Sequence, residues 1–149
     1  MNELGQGEGE KMKTFILLTT TLFLTSVFGH ASECDFDMSG SYDCGEETGV
    51  LTISQNGENF EIQLPDRVTG FDQVIADNTK RTANFKDNAR PVTYAASCRS
   101  LSPSLNYRMT ASDGYLIRKV ELTAIEQDVV LDVFIGKEGA GIGTRCSKI

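Results

Sequence analysis

Tryptophan is missing from this chain of 149 residues, and histidine occurs once, at position 30. His30 falls in a segment that reads as a leader, so the part expected to fold has no imidazole. That excludes Ser-His-Asp and Cys-His triads, zinc sites built on histidine, and haem on a proximal histidine. No Gly-x-Ser-x-Gly elbow is there to expose an activated serine. No Cys-x-x-Cys pair occurs, which removes the zinc-ribbon and thioredoxin-like readings. Acidic residues outnumber basic ones, 21 against 14, for a formal net charge of −7. Such a surface repels phosphate backbones, so nucleic acid is not an expected partner. Carboxylate pairs can act as acid and base, but in so acidic a chain most are simply solvated. The expectation is binding, not catalysis.

A membrane-spanning run is also lacking. Lys11-Met12-Lys13 forms a positive start, and Thr14 to Phe28 follows without a charge. Gly29-His30-Ala31 then places small residues where a signal peptidase cuts. The apolar run is threonine-rich and shorter than the roughly 20 residues a spanning helix needs. Residues 1–31 therefore read as a non-native extension plus a secretory signal peptide, and 32–149 as a single domain. Residues 5–11 are spelled by purine-rich codons ahead of Met12, as a bacterial ribosome-binding site would be. Met12 is the expected true start, and no span is expected after cleavage. The expected location is secreted or periplasmic.

Four cysteines remain: Cys34, Cys44, Cys98 and Cys146. An even number behind an export signal reads as two disulfides. Three connectivities are open. Cys44–Cys98 with Cys34–Cys146 is the favoured one, because it would tie both chain ends to the body.

Helical periodicity is absent, and apolar residues alternate with polar ones along most of the domain. Val50–Gln55 and Glu58–Leu64 flank Asn56-Gly57, a strong hairpin signal. A two-residue turn there sets Ile53 opposite Phe60 and Leu51 opposite Ile62. Asp113-Gly114 marks a second hairpin, with Leu105 facing Leu122 and Tyr107 facing Val120. A tight loop near Ile125–Asp128 returns a third strand, with Leu122 facing Leu131 and Val120 facing Val133. Ser39–Cys44, Pro91–Cys98 and Ile142–Cys146 read as further strands. Phe71–Ala76 and Arg81–Phe85 are expected to pair around Asp77-Asn78, the alternative being a helical turn over Asp72–Lys80. Eight or so short strands imply an all-β domain, a small antiparallel up-and-down barrel or a two-sheet sandwich, stapled by disulfides.

The segment from Asp35 to Glu46 resembles an EF-hand calcium loop. Asp35, Asp37, Ser39, Ser41, Asp43 and Glu46 supply oxygen-bearing side chains at the spacing such loops use, with Gly40 at the sharp turn. The resemblance covers these twelve residues and no flanking helices. Its alternative is an acidic segment leading into a strand, with no cofactor. Gly139-Ala140-Gly141-Ile142-Gly143 hints at a phosphate loop, but no helix follows it, and a kinked edge strand or flexible connection is expected instead. Arg118 stands in an otherwise apolar column. It could hold an anionic ligand at a barrel mouth, or snorkel from the rim to water.

The expected function is that of an exported binding module of the bacterial envelope, directed at a protein partner or acting as an inhibitor. The alternatives are a lipocalin-like carrier of a small apolar ligand and a calcium-stabilised domain.

Overall fold

A computed structural model describes residues 34–83, 91–136 and 139–149. The expected leader at 1–31, the end of the predicted strand at Asn84-Phe85, and the charged residues Lys86, Asp87 and Arg90 lie outside them. Among the described residues ten antiparallel strands follow in chain order: β1 Gly40–Asp43, β2 Val50–Asn56, β3 Asn59–Gln63, β4 Phe71–Ile75, β5 Arg81–Ala83, β6 Val92–Arg99, β7 Ser104–Thr110, β8 Leu116–Ile125, β9 Asp128–Ile135 and β10 Ala140–Lys148. No helix occurs among the described residues. All ten strands join one sheet in the order β4-β3-β2-β1-β10-β9-β8-β7-β6-β5.

The sheet curls into a half-barrel, and its two ends approach each other. Asp77 makes a lone antiparallel bridge with Ser97. Asn78 N–H donates to Ala96 O at 2.8 Å, and Ile75 N–H donates to the Tyr94 hydroxyl at 3.3 Å. The expected β4–β5 hairpin does not form. These two strands end opposite sides of the sheet, β4 on β3 and β5 on β6. Asp77-Asn78 spans the seam between them instead of making a tight turn.

Alternation builds the core. Leu105, Leu122 and Leu131 form one inward row across β7, β8 and β9, and Tyr107, Val120 and Val133 form the next. All six are 2% exposed or less. Each such side chain stabilises the fold by about 1.5–3 kcal/mol through burial. Phe60, Leu51, Ile62 and Val74 supply the facing wall. The β7–β8 and β8–β9 registers agree with the sequence reading, apart from a bulge between Met109 and Thr110. There Ala111 O accepts from Gly114 N–H and Gly114 takes a φ of 83°, which makes the loop longer than a two-residue turn.

The β2–β3 register differs. Ile53 faces Ile62, and Asn56 pairs with Asn59, so Gly57-Glu58 is the turn. Only Gly57 has positive φ there, as a type II′ turn requires. The slip moves every pairing by two residues, which leaves each side chain on its original face. Burial alone therefore cannot choose between the two registers.

The N-terminal segment closes one end of the half-barrel. Gln55 holds it like a strand partner: its side-chain carbonyl accepts from Met38 N–H at 2.8 Å, and its amide donates to Phe36 O at 2.7 Å. Tyr42 donates its hydroxyl to Met38 O at 2.7 Å. Met38 is 1% exposed.

The disulfides are Cys34–Cys98 and Cys44–Cys146, which corrects the expected pairing. Strand β1 lies beside β10, with Asp43 opposite Ser147, so the next residues, Cys44 and Cys146, fall side by side. Cys34 lies ahead of β1 in the closing segment and reaches Cys98 near the end of β6.

Candidate functional site

Two charges enter the interior from opposite walls. Asp72 follows the inward column of β4, opposite Ile62, and is fully buried. Arg118 comes from the inward column of β8, between Met109 and Ile135. They form an ion pair through Arg118 Nη2 and Asp72 Oδ1. Tyr107 donates its hydroxyl to Asp72 Oδ2 at 2.5 Å, and Arg118 Nη1 donates to Thr69 O at 3.1 Å. Gly70 lies so close that a Cβ there would sit 2.7 Å from Arg118 Nη1. The rim cation of the sequence reading is thus held inward by its own fold. Its Nε finds no acceptor among the described residues. Arg118 was legible as an anomaly, whereas Asp72 was missed. Its parity with Val74 and Ala76 was the available signal: a carboxylate in an apolar column needs a buried cation.

Burial first, and the Asp72 carboxylate second, push the Tyr107 phenol well above its ordinary pKa of 10.0, while Arg118 pulls in the opposite direction. In the unfolded chain this phenol ionises at its usual value. The stability tied to its neutral form is complete below about pH 10 and is lost as pH rises beyond it. Urea midpoints should therefore fall between pH 9 and 11, and Tyr107→Phe should lose less over the same interval. An equal loss in both proteins would refute the assignment.

The EF-hand-like segment takes another form. Its residues Gly40–Asp43 extend as β1. Asp37 accepts from Ser39 N–H at 2.8 Å, Asp43 accepts from Gly45 N–H at 2.8 Å, and Ser39 Oγ accepts from Gln55 N–H at 3.1 Å. Hydrogen bonds that Asp37 accepts from Ser39, from its backbone N–H first and its side chain second, hold this carboxylate below the usual pKa. Among the described residues no three acidic, cysteine or histidine side chains gather as a metal site requires. Gly141 and Gly143 belong to β10, which pairs with β9 from Ala140 to Cys146 and meets β1 only at Ser147 and Lys148, so the glycine stretch has a strand neighbour on one side alone among the described residues.

The outer surface carries a second pattern, one of charge. Residues 34–76 hold Asp43, Glu46, Glu47, Glu58, Glu61 and Asp66 among their carboxylates, with Arg67 the sole cation. Residues 77–119 reverse the sign, with Lys80, Arg81, Arg99, Arg108 and Lys119. The topology assigns β1–β4 to one wall and β5–β8 to the other, so the order of charges along the chain becomes an acidic wall and a basic wall.

Two adjoining grooves mark the basic wall. One, of about 290 Å³, is lined by Asn78, Ala95, Ser97, Asn106, Arg108 and Lys119 among others. The second, of about 500 Å³, shares Asn78 and Ser97 and continues past Arg99, Ser100, Leu101 and Ser102. Leu101 is fully exposed.

No protein-family model matches the chain, and no curated protein matches it at a significant level.

Proposed function

We propose that this chain is an exported binding module that engages a protein partner through the outer face of its basic wall. The observation that carries this reading is where the apolar mass lies. Tyr107, Phe60, Met38, Leu51, Leu105 and Met109 fill the interior and are 2% exposed or less. The Cys34–Ser39 segment covers one end, and the Arg118–Asp72 pair ties the 64–70 loop across the other. A carrier of small apolar ligands needs a hollow where these side chains stand. Recognition is then left to the exterior, where the grooves, an exposed leucine and cations without an ion-pair partner among the described residues coincide. Two disulfides suit an oxidising compartment outside the cytoplasm. No helix among the described residues is long and apolar enough to cross a membrane.

A photo-reactive amino acid placed at Ser97 tests the proposal in the native envelope, with Glu61 on the acidic wall as the paired position. Discrete adducts to one protein are expected from Ser97 and not from Glu61. Adducts equal from both walls, or none from either, would contradict it.

A further inference from the structure

We infer that the paired grooves on β6, β7 and β8 receive an extended segment of a partner protein carrying two acidic side chains four residues apart. This rests on the binding reading above. Arg108 and Lys119 stand directly opposite each other across β7 and β8. Like charges in that position destabilise a sheet. Neither makes an ion pair among the described residues, whereas Arg67, Arg81, Arg118 and Arg145 each have a carboxylate. An incoming anion would relieve this repulsion. Arg108 lies opposite Ala95, and Arg99, four residues further along β6, lies opposite Ser104. The cations thus stand at two levels roughly 13 Å apart, given the rise of an extended chain. An extended peptide repeats the same face at the same spacing, so carboxylates at i and i+4 reach both levels.

The floor between those levels is made for a backbone. Ala95 and Ser97 are small, while Asn78 and Asn106 offer amides on either side. Leu101 gives an apolar contact beyond Arg99. A uniform polyanion fits less well. Glu121 and Asp132 occupy the row next to Lys119, opposite each other and beside Asn106. They repel phosphates that follow one another without a gap, as does the acidic wall. Isolated carboxylates, separated by neutral residues, avoid that row.

A short synthetic peptide with two glutamates four positions apart, and serine and valine between, provides the probe. It is titrated into the oxidised protein and followed by amide chemical shifts. Saturable shifts confined to Ser97, Arg99, Asn106, Arg108 and Lys119 are expected. Arg108→Glu with Lys119→Glu should weaken binding about tenfold, since attraction becomes repulsion at exposed sites. Glu61→Lys, on the other wall, should not weaken it. Four results would overturn the inference: no shifts in the groove, equal binding of the lysine-for-glutamate peptide, tighter binding of duplex DNA or sulfate, or concentration-dependent self-association through the same residues. Should Ser97 cross-link in the envelope while the peptide fails, the acidic assignment falls and the binding module stands. Should both fail, the module falls as well.

Discussion

Asp72→Leu is expected to destabilise the fold by about 3–5 kcal/mol, the usual cost of stranding one member of a buried ion pair. The substitution removes the carboxylate that Arg118 and Tyr107 share. Arg118, a residue 8% exposed, is then left with Thr69 O as its one hydrogen-bond acceptor among the described residues. Water cannot take over without opening the end that the 64–70 loop covers. Urea unfolding measures the loss directly as a fall in midpoint at unchanged slope. Asp72→Leu with Arg118→Met should recover most of it, because an apolar pair of similar volume restores a core free of buried charge. A single substitution costing less than about 1 kcal/mol would show the pair to be solvated and the interior open at that end. A double variant no better than the single one would show that the cost is one of packing, not of charge.

Removing Cys44–Cys146 is the second large effect. The bridge spans 102 residues of chain and joins the first strand to the last. Its loss should cost about 2–5 kcal/mol. Strand β1 depends on it more than any other, since β1 has four residues and meets β10 only at Tyr42–Lys148 and Asp43–Ser147. Cys34–Cys98 spans 64 residues, so chain entropy sets the two bridges only about 0.4 kcal/mol apart. What separates them is where the structure loosens. Alanine at both 44 and 146 should speed amide exchange in β1 and β10. Alanine at both 34 and 98 should speed it in residues 34–39 and at the Gln55 end of β2, and leave β10 protected. A uniform increase in both variants would mean that neither bridge has the local role assigned here.

The parts of this fold that were legible in the sequence are those decided by neighbours in the chain. The β7–β8–β9 meander rests on short loops and on alternating apolar residues, and both act within about ten residues. Leu105 opposite Leu122 opposite Leu131 needed nothing more. The β2–β3 register was half legible. Alternation fixed which face Ile53 and Ile62 point to, but a two-residue slip conserves the faces, and the turn moved from Asn56-Gly57 to Gly57-Glu58. Partners far apart in sequence were not legible. Nothing local tells β1 that it will lie on β10, and the disulfide pairing follows from that adjacency. The same holds for the candidate site. Arg118 stood out as a charge in an apolar column, but its partner lies 46 residues away. Arg108 and Lys119 could be set opposite each other from the Asp113-Gly114 turn. Their meeting with Asn78 and Ser97 depends on how the sheet curls. The partition of charge was written in residue order from the start, yet it became a partition of surface only once β1–β4 and β5–β8 were seen to form separate walls.

A solid, sealed interior leaves recognition to the exterior. An apolar fluorescent dye titrated into the oxidised protein tests this most directly. No saturable uptake is expected at micromolar dye, and the same result is expected after Arg108→Glu with Lys119→Glu. One dye held per chain, with emission shifted to that of a dry environment and with bound-state contacts to Leu105, Leu122 and Leu131, would contradict it.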